Sequence, residues 1–360
     1  MSRWKTWVGI AISAAAIWWA MRGVEWALVW PALEAADWRL LAAVFVLAPF
    51  VNIGVRALRW RILLRPTAAL PFSSFVSATA VGLLANNVLP ARIGEFVRAY
   101  ALAKREPVAT GTAFGSLFLE RMFDGFALVG ILYALTFVQD LPAWADTTAR
   151  VALWIFVGFL AFQVLLVVWP RRVVGAANWF GRRLFAGRFE ESIEGALATF
   201  VDGFHLLRRP GLVVLSLLLA FAQWTLIGLL FFIGFAAFNL AGRAGLEGAL
   251  FTNSITALGV AVPSSPGFVG TFQALVVKSL EAFEIDRTLA FTYSIGFHAM
   301  NYLSVTLVGL VYFFRTGLSW QELERSEEEL ERELVEEYET VIEPSLEAPP
   351  PNADERERRR

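Results

Sequence analysis

Apolar residues in this chain come in long blocks, separated by short stretches dense in arginine. The first block, residues 7–20, follows Arg3 and Lys5; the second, 40–57, runs into Arg56, Arg59, Arg61 and Arg65. Further blocks cover 110–138, 151–169, 211–238 and 288–314. A bilayer-crossing helix needs about 20 mostly apolar residues, so the pattern predicts six full spans. Residues 22–39 read as a short polar loop. The loop 139–150 has one basic residue, Arg150, whereas 170–209 has seven arginines and an amphipathic middle. Arginine-rich loops stay cytoplasmic, which predicts both termini inside and 139–150 and 239–246 outside.

Two apolar regions are interrupted. Residues 72–106 contain Asn86, Asn87 and Pro90, followed by Arg92, Glu95, Arg98, Lys104 and Arg105. Residues 247–283 are broken around Pro263, Pro266 and Gly267. Both copies carry Pro-x-x-x-Gly-x-Phe: Pro90, Gly94 and Phe96, then Pro266, Gly270 and Phe272, offset by 176 residues. Broken helices survive in lipid only when buried in protein or lining a wet cavity. The same offset lays span two on span five and span three on span six. With three crossings between the copies, the second is inverted. The expected architecture is therefore all-α: six spans plus two oppositely oriented re-entrant hairpins. Repeat one covers about 4–138 and repeat two about 150–314, with a basic cytoplasmic insert at 170–209. Such matched breaks point to a transporter's binding site. Ala14–Ala16 resemble a signal cleavage site, but a retained first helix completes the symmetry.

Composition sharpens this reading. The chain is 57% hydrophobic, with 14 Trp and 31 Phe, as expected of an integral membrane protein. It has no cysteine and two histidines, His205 and His298, without metal-ligand spacing. No cofactor or metal is expected. The net charge of −1 hides a contrast: residues 321–360 hold 15 acids and 6 arginines, while the rest is basic. The membrane domain is placed at 1–316 and an acidic tail at 317–360. Within the tail, 321–340 reads as an exposed helix and 344–360 as disordered. A basic membrane body suits anionic lipid.

Pro90 and Pro266 each stand where a half-helix would start. Such a start points N–H groups and a positive dipole end at an anion, and Arg92 and Arg98 add full charge. Glu95 would orient an arginine or carry a proton. The expected substrate-binding set is Asn87, Pro90, Arg92, Gly94, Glu95, Arg98, Ser264, Ser265, Pro266, Gly267 and Gly270. The competing explanation is that Pro-x-x-x-Gly only shapes a kink. Glu120, Arg121 and Asp124 share a stretch of one span, and His298 occupies the matching place in the second half. These four read either as ion pairs and hydrogen-bonded contacts or as a proton relay. Asn52, Gln223 and Trp224 read as interhelical hydrogen-bonders.

At these residues the chain resembles the flippase-like membrane domain of lysylphosphatidylglycerol synthases and their stand-alone relatives. Asn87, Pro90, Arg92, Gly94, Glu95 and Arg98 meet Asn-x-x-Pro-x-Arg-x-Gly-Glu-x-x-Arg. Glu120, Arg121 and Asp124 meet Glu-Arg-x-x-Asp. Ser265, Pro266, Gly267 and Gly270 meet Ser-Pro-Gly-x-x-Gly. The family commonly has Glu where this chain has Gln273, and full-length synthases carry a soluble aminoacyl-transferase domain that the residues after span six are too few to form. The resemblance implies a non-enzymatic lipid transporter in the cytoplasmic membrane. Its partner would be a lipid with an anionic headgroup and not nucleic acid. The pattern leaves room for a homo-oligomer and for a cytoplasmic partner of the tail. The alternatives are a transferase acting on a lipid phosphate and a non-catalytic assembly factor.

Overall fold

The second span is longer than its hydropathy suggests. Asp37 caps its start, accepting a hydrogen bond from the Arg39 N–H at 2.9 Å, and the helix runs unbroken from Trp38 to Leu64. Within it, Pro49 cannot donate to the carbonyl one turn back, and Phe50–Val55 winds as a π-helical turn. Asn52 Nδ2 donates to the Ala48 carbonyl at 2.9 Å and to Asn301 Oδ1 at 3.2 Å, which supports the loosened turn. The computed structural model describes residues 3–65, 67, 69–89, 93–139, 141–168, 209–260, 265–326 and 332, and all regular structure among them is helical.

The helices are α1 (Arg3–Met21), α2 (Trp26–Glu34), α3 (Trp38–Leu64), α4 (Phe72–Val88), α5 (Gly94–Ala103), α6 (Thr110–Leu135), α7 (Ala143–Val168), α8 (Pro210–Ala237), α9 (Ala241–Gly259), α10 (Thr271–Glu281) and α11 (Arg287–Thr316). A 3₁₀ turn at Pro266–Phe268 lies between α9 and α10. Both interrupted regions are helix–break–helix units: α4 packs on α5, and α9 on α10. Their contacts exchange between halves. α4 packs on α11 and α9 on α6; α3 packs on α11 and α8 on α6; α5 packs on α6 and α10 on α11. The main core lies between α3, α6, α8 and α11, rich in Phe231, Phe235, Phe291 and Phe297.

Among the described residues, α3, α8 and α11 are long and apolar enough to cross a membrane. A fourth crossing counts if α1 and α2, bent by 87°, form one broken span. The chain is thus a multi-pass helical membrane protein. The sequence reading expected six full spans. α6 has 26 residues, but every span-length stretch of it contains Glu120, Arg121 and Asp124. Burial of Glu120 and Asp124 keeps them from lipid.

Three expectations about loops are corrected. The polar loop at 22–39 contains α2, whose Val29 and Leu33 pack on the core. The loop 139–150 is mostly the start of α7, because Ala145 and Ala149 pack against Leu132 and Phe251. The loop 239–246 is mostly α9, kinked at Gly245 where φ is 63°. Most of the insert 170–209 and most of the tail lie outside the described residues. The tail's first turn, 320–326, docks on the body. Leu318 and Leu323 are buried beside Phe313 and Leu102, the Trp320 and Phe313 ring centroids lie 4.4 Å apart, and Glu322 pairs with Lys104 at the end of α5. The hydrogen bond from Lys104 holds the Glu322 carboxyl down at about 2, and the same bond raises Lys104 above its ordinary value.

Candidate functional site

The first broken helix folds back on itself with almost no space between its limbs. A Cβ on Gly82 would lie 2.6 Å from the Gly94 carbonyl oxygen, and one on Gly94 would lie 2.3 Å from that of Gly82. Only glycine admits this approach. The Gly94 N–H donates to Asn86 Oδ1 at 2.8 Å, closing the turn. That donor is used inside the protein, although the sequence reading aimed it at a ligand. Pro90 and Arg92 lie outside the described residues.

The close approach places Arg98 in the core, 2% exposed, with its guanidinium carbon 4.7 Å from the centre of the Trp60 ring. Its two terminal nitrogens donate to the two oxygens of Glu120 at 2.9 and 3.0 Å, and Glu120 is fully buried. Arg121 Nη2 adds contacts to Glu120 at 2.8 Å and Asp124 at 3.2 Å, and Nη1 reaches Glu95 at 3.8 Å. From α3, Arg59 donates to Asp124 at 2.6 Å and to Gln223 Oε1 at 2.6 Å; Trp224 Nε1 also donates to Asp124, at 3.0 Å. One polar cluster therefore ties α3, α5, α6 and α8 together. Charges at this depth survive when paired.

Two members were missed by sequence reading. Arg56 and Arg59 read in sequence as the basic end of the second span, marking the cytoplasmic side, yet both lie within α3 and are buried. Their i, i+3 spacing, continued by Trp60 and Leu63, is the signal of one inward helix face. Arg56 is 7% exposed and within electrostatic reach of Arg121, Asp124, Glu120 and Arg98, but has no hydrogen bond or ion pair with a described residue. Among the described residues the cluster holds four arginines, Arg56, Arg59, Arg98 and Arg121, against three carboxylates, Glu95, Glu120 and Asp124. Its unpartnered nitrogens are all donors: Nε of each arginine, Nη2 of Arg59 and Nε2 of Gln223. One acceptor, Asp124 Oδ2, also lacks a hydrogen bond, so among the described residues unpartnered donors outnumber unpartnered acceptors six to one.

The second break is neutral. Ser264 lies outside the described residues. The Ser265 N–H donates to Ser13 Oγ at 2.7 Å, and its own hydroxyl donates to the Val269 carbonyl at 2.9 Å. Pro266 opens the 3₁₀ turn. Gly270, at φ 92°, sits where a Cβ would lie 2.4 Å from the Ser13 carbonyl oxygen. Its N–H donates to Gln273 Oε1 at 2.7 Å, and Gln273 Nε2 contacts His298 Nδ1 at 3.0 Å. Phe272 stacks on the His298 ring. At this position an amide supplies both an acceptor for Gly270 and a donor for His298.

The two breaks meet at Tyr302 of α11. Its hydroxyl donates to the Asn87 carbonyl at 3.2 Å, and a Cβ on Gly267 would lie 2.5 Å from its ring. Asn87 Nδ2 donates to Thr306 Oγ1 at 2.8 Å. Asn87, Gly94, Glu95 and Arg98 thus belong to the hairpin that carries the charge cluster; the 3₁₀ turn with Pro266 and Gly267 packs on α4 of that hairpin, and Gly270 packs against Ser13 and Ile17 of α1.

Comparison with known proteins agrees with the motifs. The chain is 25% identical over 234 residues to a UPF0104 membrane protein of Methanocaldococcus jannaschii, covering 64% of this chain and 92% of the relative. It is 26% identical over 294 residues to a UPF0104 membrane protein of Methanothermobacter thermautotrophicus, covering 75% and 82%. No solved structure matches the chain. The family described as the lysylphosphatidylglycerol synthase TM region matches residues 6–309, and the chain belongs to that family.

Proposed function

We propose that this protein moves an anionic phospholipid, or a lipid-linked anionic headgroup, across the cytoplasmic membrane without catalysing a covalent reaction. One observation carries the reading: among the described residues, a largely buried cluster inside an apolar membrane body has one more arginine than carboxylate, and six of its donor nitrogens lack an acceptor whereas one acceptor, Asp124 Oδ2, lacks a hydrogen bond. Arginine stays protonated at any relevant pH, so the excess charge is relieved by a bound anion rather than by proton loss. A phosphate ester supplies both the charge and several acceptor oxygens.

Two further features support transport. The exchanged contacts of the two halves fit an inverted repeat of six spans and two re-entrant hairpins, with both termini cytoplasmic. The described residues flanking the two breaks, Asn87 and Gly267, both contact Tyr302, near where such a plan has its substrate path. A transferase acting on a lipid phosphate needs a general base. Glu95, Glu120 and Asp124 are each engaged by arginine, which suits binding better than base catalysis.

The test is lipid composition followed by translocation. Protein purified in mild detergent should retain anionic phospholipid above its share of the source membrane. In sealed vesicles it should then speed transfer of a labelled anionic lipid between leaflets. Retention in proportion to the bulk membrane, with no acceleration, would end this reading.

A further inference from the structure

The arginines of the charge cluster differ in what can reach them. The side chains of Arg59 and Arg98 are 1% and 2% exposed, and Arg56 is also buried. Arg121 is the exception, with 32% of its side chain exposed. It lies well inside α6, roughly 16 Å along the helix from Thr110 and about 21 Å from Leu135. A charge at such a depth avoids lipid and faces protein or a wet cavity. Glu95 of α5, the acid across from it, is 19% exposed. The guanidinium of Arg121 is held from one side only. Nη2 contacts Glu120 at 2.8 Å and Asp124 at 3.2 Å, both on its own helix. Nη1 has no hydrogen bond among the described residues, and its ion-pair partner there is Glu95 at 3.8 Å, beyond hydrogen-bond range. Nε is buried without an acceptor.

We infer that Arg121 is the residue of the cluster that takes the phosphate, and that Glu95 faces it as a stand-in which the phosphate displaces. The ligand chemistry is a phosphate ester, here that of a membrane lipid. The inference rests on the anionic-lipid reading above and adds to it which arginine binds the headgroup and what gives way. Distance favours the exchange. Attraction between two charges varies as the inverse of their separation, so an oxygen at about 2.8 Å in place of one at 3.8 Å gains about a third. A phosphate monoester also carries about −1.5 to −2 charge near neutral pH, against the single charge of Glu95, and brings three acceptor oxygens. Arg98 and Arg59 offer no such exchange. Both terminal nitrogens of Arg98 bond to Glu120, Arg59 donates to Asp124 and Gln223, and both side chains are sealed from any ligand.

The experiment compares full-length wild type, Arg121→Gln, Arg121→Lys and Glu95→Gln in detergent. Native mass spectrometry measures retention of phosphatidic acid against phosphatidylcholine. Thermal unfolding reports stability, and added glycerol 3-phosphate tests a soluble source of the same group. Arg121→Gln should weaken phosphatidic acid retention roughly 10- to 150-fold. Glu120 and Asp124 keep Arg98 and Arg59 in that variant, so neither carboxylate is left unpaired. Arg121→Lys should fall between, because the ammonium keeps the charge without the planar fork. Glu95→Gln removes the competing carboxylate and should tighten retention roughly 1.5- to 5-fold, the worth of one partly exposed ion pair. Glycerol 3-phosphate should not displace phosphatidic acid. If Glu95→Gln leaves retention unchanged or lowers it, the Arg121–Glu95 pair is a structural bridge and the inference is overturned, even where Arg121→Gln fails to fold. If Arg121→Gln folds and retains phosphatidic acid like wild type, another group takes the phosphate. If glycerol 3-phosphate displaces phosphatidic acid, the ligand is a soluble phosphate. Each of these results leaves the preference of the wild type for anionic lipid standing. If wild type itself does not prefer phosphatidic acid to phosphatidylcholine, the transport reading fails and this inference falls with it.

Discussion

Replacing Arg98 by Met removes one member of a buried ion pair and little volume. Arg98 makes two charge-assisted hydrogen bonds to Glu120, at 2.9 and 3.0 Å, and neither residue reaches solvent to any useful extent. Removing one partner of such a pair costs about 3–5 kcal/mol, because the remaining charge stays buried. Glu120 keeps Arg121 at 2.8 Å, which places the loss at about 3 kcal/mol. That is a factor of roughly 150 in the folding equilibrium. The assay is reversible unfolding in mixed micelles for Arg98→Met, Glu120→Gln and the double variant, with phosphatidic acid retention measured on the same samples. The double variant should recover at least about half of the loss, since no uncompensated carboxylate remains. An Arg98→Met protein of wild-type stability that fails to retain anionic lipid would refute the argument. Arg98 would then act on the ligand and not on the fold.

Three other outcomes are expected. Cysteine at Val138 should react with an impermeant reagent added outside, and cysteine at Ala109 should not. These positions flank α6, both are exposed, and equal labelling at the two would show that α6 does not cross. Truncation after residue 326 should leave stability unchanged, whereas Leu323→Ala, at a fully buried position, should cost roughly 2–5 kcal/mol in micelle unfolding. The Glu322–Lys104 pair should hold the tail across the neutral range. Glu322 is depressed, so its contribution is complete above 4.5 and is lost as pH falls toward about 2. Lys104 is raised, so its contribution is complete below 10.5 and is lost only at higher pH. Trp320 fluorescence against pH reports this; a tail released between pH 5 and 9 would contradict the pairing.

Much of the fold was legible because apolar blocks and helix breakers are local signals. α8 and α11 fall within two residues of the blocks that predicted them, and both breaks lie at their Pro–Gly motifs. Glu120, Arg121 and Asp124 stood out because charge inside an apolar block is conspicuous. Arg56 and Arg59 did not, because charge at the end of a block reads as the cytoplasmic boundary. Only packing shows that α3 continues nine residues from Arg56 to Leu64 with its arginines turned inward. α2 and the first turns of α7 were hidden for the opposite reason. Their polar residues face outward and read as loop, while the apolar residues between them are held by distant partners such as Phe251 and the core around α11.

The two halves share a backbone plan but not its chemistry, and the difference bears on direction. Moving forward by 176 residues, Arg56 meets Phe232, Arg59 meets Phe235, Glu120 meets Gly296 and Arg121 meets Phe297. The charged cluster of one half is an aromatic core in the other, with Phe235 against Tyr293 at 5.0 Å and Phe231 against Phe297 at 4.4 Å between ring centroids. A symmetric transporter would offer equivalent headgroup sites toward both leaflets. Here the second half has stacked rings and the neutral Gln273–His298 contact where the first has arginines. Desolvated aromatic rings give a phosphate neither charge nor an array of donors. If the halves are inverted as proposed, the anion is held strongly on the side of the first hairpin only. Release toward the other side then needs no competing charge to be broken, so the two leaflets should load the protein unequally.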